Sequence, residues 1–372
     1  MSRSFPLKNN ENFIFSLRTL YDSYGYTHYK MSKFEEYGLY SKNMDFLVSD
    51  GIITFTDTNG KLMALKPDVT LSIIKNTNGS GKAINKLYYN ENVYRVSKGT
   101  HTFREIMQVG LECIGDIDGY CIFEVLTLAA KSLAAVSDSS VLDISHLGIL
   151  SAAADCAGVP EGDRAEVFRL IGEKNLPELG RKCASLGLGE EAAQLLKKLI
   201  CVHGAPHDVI PELRKLPAEI TDTAAFDEFC RITASLEKTV GRVNIDLSVV
   251  EDLHYYNGIV FKGFVEGVPN SVLSGGQYDT LMRRMKRSEG AIGFAVYTDM
   301  LDRLSGAGEK YDADVLLLYP EDASFEEVEA AAAQYRDKGE NVLAVRNIPE
   351  GIRYRTLVNT DGGEVKTDEN DA

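Results

Sequence analysis

Over residues 12–24 the apolar positions Phe13, Ile14, Leu17, Leu20 and Tyr21 recur at three- and four-residue spacing, which predicts an amphipathic helix that Gly25 stops. Short β-prone runs follow at 51–56, 61–65, 87–96 and 108–114, separated by turn residues. Asp57-Thr58-Asn59-Gly60 joins the first two into a predicted hairpin. Over 123–135, Val125, Leu128, Ala129 and Leu133 repeat on one side of a second helix. The chain to about residue 145 therefore mixes antiparallel strands with helices.

Between 151 and 237, Ala, Leu, Glu and Lys dominate and β-prone runs almost vanish. Pro160, Pro177, Pro211 and Pro217 punctuate this stretch, predicting an all-helical insertion over about 150–238. Strand-like sequence resumes at 243–247, 258–265 and 271–273, and Ser274-Gly275-Gly276 reads as a tight turn into a helix near 278–285. The segment 304–312 is polar and glycine-containing, as in a linker. Beyond it, a strand at 315–319, a helix opened by a Ser324/Glu327 capping box and ended by Gly339, and a strand at 341–345 make a right-handed βαβ unit. From Asp361 the tail is acidic and almost free of apolar groups, which predicts disorder. The expected class is α+β, with an antiparallel sheet flanked by helices. A core over 1–305 carries the insertion, and a short α/β unit with an acidic tail covers 312–372.

With 372 residues, 44% hydrophobic and 26% charged, the chain can bury a full core and is neither a miniprotein nor a fibrous sequence. The formal charge of −15 opposes the counterion-release attraction to nucleic acid, so tRNA starts disfavoured. No secretory leader is evident, and no window approaches the roughly 18 apolar residues of a membrane span. These features predict a cytoplasmic protein with no membrane role. Cys113, Cys121, Cys156, Cys183, Cys201 and Cys230 are scattered, as reduced thiols are in such a chain. His203 and His207 are separated by Gly204, Ala205 and Pro206, which break the helix that would aim both at one metal, and no metal or cofactor is expected.

The segment 94–115 concentrates candidate chemistry. If its second half is a regular strand, Arg104, Gln108 and Glu112 share one face, a row able to hold an ammonium and a carboxylate at once. A solvated polar sheet face is the competing account. Arg283, Arg284, Lys286 and Arg287 form a basic cluster that reads as a solvated helix face. Ser274-Gly275-Gly276 lacks the Lys-Ser/Thr of a phosphate loop, and His254 has no evident nucleophile to serve.

The same segment, YRVSKGTHTFREIMQVGLECIG, resembles motif 2 of class II aminoacyl-tRNA synthetases of the histidyl branch. FTDTNGKLMALKPDVT (55–70) resembles that family's hairpin ending in L-R-P-E-x-T, and DLHYYNGIVFKGF its R-G-L-D-Y-Y segment. SGGQYDTL and AIGFAVYTDML resemble its S-G-G-R-Y-D element and motif 3. The resemblance spans about residues 5–305. It implies a histidine site in which Asp68 and Thr70 hold the acidic and hydroxyl positions and Gln108 and Glu112 the ammonium-binding pair. Arg95 is the motif 2 arginine, and Tyr255 and Tyr256 line the imidazole pocket. It also implies a dimer through the motif 1 region, here about 26–41.

The departures fall on adenylation. Glu251 replaces the arginine of R-G-L-D-Y-Y, Asp252 and His254 replace its glycine and aspartate, and Met300 replaces the motif 3 arginine. Tyr297 stands where the family has a small glycine. Losing one transition-state cation commonly costs about a hundredfold, and two are missing here. The chain after the linker is also too short for the family's anticodon-binding domain. This pattern resembles the family of ATP phosphoribosyltransferase regulatory subunits. There a non-catalytic synthetase-like dimer joins a short catalytic subunit in a hetero-oligomer and makes the first step of histidine biosynthesis responsive to histidine. Glu251 is then expected to accept an imidazole N–H or to pair with Arg95, closing the old phosphate site. A synthetase with an altered site, or an amino-acid-binding module for another partner, are the competing functions.

Overall fold

The computed structural model describes residues 9–43, 51–77, 83–97, 100, 102–250, 255–299, 311–360 and 364–365. By its internal contacts the chain divides into two compact units, with a boundary between Leu304 and Ser305. In the larger unit α1 (Asn9–Ser23) leads to β1 (Thr27–His28), β2 (Phe34–Glu36), α2 (Tyr37–Ser41), β3 (Thr54–Thr56), β4 (Leu62–Leu65) and α3 (Val69–Asn76). Two long strands, β5 (Asn85–Val96) and β6 (Phe103–Gly115), precede α4 (Gly119–Val136) and β7 (Ser140–His146). Then come α5 (Leu147–Cys156), α6 (Arg164–Gly172), α7 (Leu176–Ser185), α8 (Glu190–Cys201), β8 (His203–Gly204), α9 (Pro206–Leu213), α10 (Ala218–Thr221) and α11 (Ala224–Val240). The unit closes with β9 (Val243–Asp246), β10 (Ile259–Val265), β11 (Leu273–Gln277), α12 (Asp279–Arg284) and β12 (Gly290–Tyr297).

Among the described residues nine strands form one sheet in the order β1-β5-β6-β12-β11-β10-β7-β9-β8. Its central pairs are antiparallel, and only β1 with β5 and β7 with β9 run parallel. The two-residue period of the strands divides the sheet by chemistry. Tyr88, Leu111, Phe294, Phe261 and Ile144 point to one side, into a continuous core with Leu17 and Tyr21 of α1, Val125 and Leu128 of α4, and Phe226 and Phe229 of α11. The helices from α5 to α11 contribute Leu150, Phe168, Leu179, Leu196 and Leu236 to that same core. The opposite face bears Tyr89, Gln108, Glu112 and Gly293 and is covered by a second cluster from α2, α3 and α12.

Several expectations are corrected here. Ser274-Gly275-Gly276 is the middle of β11 and not a turn. A Cβ on Gly275 would lie 2.4 Å from the Gly293 carbonyl oxygen, and one on Gly276 would lie 2.8 Å from the Tyr256 ring, so the glycines answer to close packing. The predicted all-helical stretch contains β8, and Pro211 lies inside α9 instead of ending a helix. The apolar helix α4 is long enough to cross a membrane by length and composition, contrary to the window reading. Its packing against α1, α11 and the sheet accounts for that apolarity as a core helix. β1, β2, β7 and β12 escaped the strand pattern of the sequence.

The predicted hairpin forms, with β3 pairing β4 across the Asp57 turn and β2 completing a small three-stranded sheet. In the smaller unit β13 (Ala313–Leu318), α13 (Phe325–Arg336) and β14 (Val342–Val345) make the predicted parallel βαβ, and the Ser324/Glu327 capping box is present. β15 (Tyr354–Asn359), unforeseen, adds parallel to β13. Within the tail read as disordered, β16 (Glu364–Val365) pairs with β15. The rest of the tail and residues 304–310 of the linker lie outside the described residues. All six cysteines are free thiols.

The basic cluster also divides. Arg283, Arg284 and Lys286 are exposed, but the Arg287 side chain is only 11% exposed and pairs with Glu289 at 2.9 Å. Its guanidinium also donates to the Ile74 carbonyl at 3.0 Å, the Thr77 carbonyl at 2.9 Å and the Thr77 hydroxyl at 3.0 Å. These oxygens lie at the C-terminal end of α3, where carbonyls lack intrahelical partners. Arg287→Ala is therefore expected to destabilise the protein by about 3 kcal/mol, because it leaves Glu289 buried without its cation. Arg287→Lys should recover only part of this, since an ammonium cannot reproduce the fork. Urea unfolding of the two variants checks this, and an alanine variant as stable as the wild type would reject it.

Candidate functional site

Glu112 is the centre of the site. Its residue is 2% exposed, and among the described residues no cation pairs with its carboxylate. The Thr70 hydroxyl donates to Oε1 at 2.8 Å and the Tyr278 hydroxyl donates to Oε2 at 2.5 Å. Burial pushes the Glu112 carboxyl up to about 8, against the pull of the two hydroxyls, and the nearby Asp68 charge adds to the rise. A buried carboxylate with no positive partner among the described residues is chemically suited to pair with an ammonium or imidazolium group.

The surrounding residues come from separate elements. Asp68 caps α3, accepting from the Leu71 N–H at 2.8 Å, which fixes the helix that presents Thr70. Burial raises the Asp68 carboxyl, while the amide donors and the Arg95 charge oppose that rise. Part of Asp68 is thus committed to the helix end. Arg95 on β5 donates from Nε to the Pro67 carbonyl at 3.1 Å, tying motif 2 to the turn before α3.

Tyr255 and Tyr256 have ring centroids 4.5 Å apart, and Tyr255 lies 5.9 Å from Tyr278, so three tyrosines wall one side. Gly293 faces Glu112 directly across β6 and β12. Gln108 is buried on the same face of β6 as Glu112, four residues away, or about 13 Å along an antiparallel strand. Both side chains being buried decides against the solvated polar face. Arg104, third in that row, is exposed and pairs with Asp299 at 3.2 Å, outside the compartment.

The structure thus brings Asp68, Thr70, Glu112, Tyr255 and Tyr256 together, with Gln108 and Arg95 farther along the same sheet face. Glu251 lies outside the described residues, as do Asp252, His254 and Met300. Sequence reasoning missed Tyr278, Tyr89 and the buried ion pair of Lys66 with Glu91 at 2.9 Å. Tyr278 sat in the quoted SGGQYDTL element, but only folding shows that its hydroxyl reaches Glu112. His207 bonds Glu237, and among the described residues no group of three or more His, Cys, Asp or Glu could hold a metal ion.

The family model described as histidyl-tRNA synthetase matches residues 6–301. The chain belongs to the histidyl-tRNA synthetase family. Within that family it resembles curated ATP phosphoribosyltransferase regulatory subunits: the one from Oceanobacillus iheyensis is 25% identical over 326 residues, 85% of this chain and 80% of that protein. A histidine–tRNA ligase from Methanocaldococcus jannaschii is 27% identical over 291 residues, covering 77% of this chain and 69% of the ligase.

Among solved structures, one titled as an ATP phosphoribosyltransferase regulatory subunit/histidyl-tRNA synthetase from Bacillus halodurans aligns with TM-score 0.73 and 23% identity. It covers 96% of this chain and 98% of that one. An ATP phosphoribosyl transferase (HisG:HisZ) complex from Thermotoga maritima aligns over 77% of this chain and 96% of that one, with TM-score 0.62 and 18% identity. These neighbours share the histidyl-tRNA synthetase fold.

Proposed function

We propose that the chain is a non-catalytic regulatory subunit of ATP phosphoribosyltransferase. In this reading it assembles with a short-form catalytic subunit, activates the first step of histidine biosynthesis and makes that step responsive to histidine. The observation that carries the proposal is the Glu112 compartment: a buried carboxylate held by neutral hydroxyls and walled by tyrosines, suited to one small cationic amino acid. Histidine is the effector, with Asp68, Thr70, Arg95, Gln108, Glu112, Glu251, Tyr255 and Tyr256 as its binding residues. The names of the curated relatives support the partnership, and the charge reversal at Glu251 and loss of arginine at Met300 support a site without adenylation. A pocket of this kind regulates only if histidine binds one quaternary state more tightly than another. A coupling of about 1–3 kcal/mol is enough for useful feedback.

The homodimer of this reading pairs through the small sheet, where Phe34 is 48% exposed, Phe55 39% exposed, and their rings meet edge to face at 5.6 Å. Exposed aromatics of that kind suit a buried contact.

The test is the rate of a short-form ATP phosphoribosyltransferase from the same organism, with and without this chain, across a histidine titration, with light scattering on the chain alone. Activation and histidine inhibition that both require the chain are expected, together with a dimer mass. No effect and no complex on sizing chromatography would replace this reading with that of a binding module for another partner. The second reading, a working synthetase, rests on the retained Arg95 and the similar ligase. It predicts histidine-dependent exchange of pyrophosphate into ATP, which the regulatory reading forbids.

A further inference from the structure

The turn that follows α12 encloses a surface cavity of about 440 Å³, lined by Asp279 and Arg283 of the helix and by residues 286–290. Its volume is that of a small-molecule site. α12 closes in a paired pattern: the Lys286 N–H donates to the Arg283 carbonyl at 2.9 Å and the Arg287 N–H to the Met282 carbonyl at 2.9 Å. Such a closure holds the first residue beyond the helix in the left-handed region, where glycine is the usual occupant. Here that position is Lys286, at φ +61°. The two carbonyls that close the helix already have amide donors, so the lysine ammonium is not consumed in capping them.

The cations and acids around the cavity are not equally committed. Among the described residues no carboxylate pairs with Lys286 or Arg283, and Arg283 makes one side-chain bond, donating to the Thr280 hydroxyl at 3.2 Å. Both Glu289 oxygens face the Arg287 guanidinium, at 2.9 and 3.5 Å. Asp279 accepts the Ala291 N–H at 2.9 Å and the Asn257 side-chain amide at 3.1 Å. Arg287 is committed to Glu289 and to the end of α3, which makes it a fixed wall. Three cations against two carboxylates leave a local excess of +1 in a chain whose total is −15. A solvated helix face, the reading the sequence suggests for this cluster, needs neither a cavity nor a lysine held in the left-handed region.

We infer that this cavity binds a small molecule through a phosphate or diphosphate group, with the Lys286 ammonium and the Arg283 guanidinium as its charged partners and the Ser288 hydroxyl as a further donor. A phosphate presents oxygens in several directions and so meets two cations and a hydroxyl at once, which a planar carboxylate does less well. The site is separate from the Glu112 compartment: Gly290 at its edge lies three residues before Gly293, about 10 Å along β12. It therefore stands or falls independently of the histidine reading.

Calorimetric titration of the full chain with inorganic pyrophosphate, in metal-free buffer at constant ionic strength, tests this in wild type, Lys286→Gly, Arg283→Gln and Arg181→Gln. The wild type is expected to bind. Lys286→Gly and Arg283→Gln should each weaken binding at least about tenfold, the usual effect of losing one charge-assisted hydrogen bond. Glycine suits the left-handed position, so Lys286→Gly should resist urea at least as well as the wild type, which separates loss of binding from loss of fold. Arg181→Gln, which removes an exposed cation from α7, should bind as the wild type does. No binding by the wild type, wild-type affinity in Lys286→Gly or Arg283→Gln, or equal weakening in Arg181→Gln would each overturn the inference. So would a short single-stranded RNA that binds more tightly than pyrophosphate and is weakened by the same two substitutions, since the cluster would then belong to a nucleic-acid face.

Discussion

Glu112→Gln is expected to weaken histidine binding at least about a hundredfold at pH 8 while leaving the fold and the assembly with the catalytic subunit intact. Glutamine keeps the shape and can still meet Thr70 and Tyr278, but it cannot neutralise a buried cation. Removing one member of a buried charged pair costs about 2–5 kcal/mol. Calorimetry on the variant and co-elution with the catalytic subunit check the two halves, and an unchanged histidine affinity would remove Glu112 from the site.

The pH dependence gives the same residue a second signature. The folded protein holds the Glu112 proton up to about 8, whereas the unfolded chain releases it near the ordinary 4.5. The folded state thus binds more protons between those values, and stability present below pH 4.5 is lost as pH rises toward 8. Between pH 4.5 and 7 the ligand-free wild type should lose about 3 kcal/mol that Glu112→Gln does not. Histidine binding should show the reverse trend, strengthening up to about tenfold per pH unit from pH 6 to 8, because the cation selects the ionised carboxylate. Urea unfolding and titrations at pH 6, 7 and 8 would expose a flat wild-type profile, which the proposed geometry does not allow.

Gly293→Ala is the second large effect. An added Cβ would stand 1.8 Å from Glu112 Oε2 and 2.5 Å from the Leu111 carbonyl oxygen. The carbonyl belongs to the β6 backbone and the carboxylate is pinned by two hydroxyls, so neither neighbour can yield without breaking the ladder or the site. A loss of about 3 kcal/mol in stability is expected, with histidine binding abolished. Gly162→Ala, where nothing lies within 4 Å of the new methyl, is the matched control and should change neither. Wild-type binding and stability in Gly293→Ala would show that the strand spacing at this point is looser than described.

Helices and hairpins were legible because their signals are local. Leu17 and Tyr21 follow the 3.6-residue period and both are fully buried, and the capping box at Ser324 needs only its own four residues. The site was half legible: motif order and the alternation along β6 brought out Gln108 and Glu112. What could not be read is whatever depends on a neighbour far along the chain. The glycines of β11 look like turn punctuation until Tyr256 and Phe294 are seen to occupy the space above and beside them. Arg287 looks like one more surface cation until Ile74 and Thr77 supply its acceptors, and Tyr278 gains its meaning only from Glu112 on another strand.

The position of β12 has a consequence for how the molecule is made. It lies between β6 and β11, pairing residues 290–297 with residues 108–115, and every helix from α4 to α12 is synthesised in the interval. Until residue 297 has left the ribosome, β6 has one unsatisfied edge and the Glu112 compartment has no floor. Pairing at such separation makes closure late and slow, so the nascent chain carries a sticky strand through about half of its synthesis. Chaperone demand during translation should then track exposure of β6, and a chain truncated before β12 should aggregate instead of accumulating as a smaller folded protein.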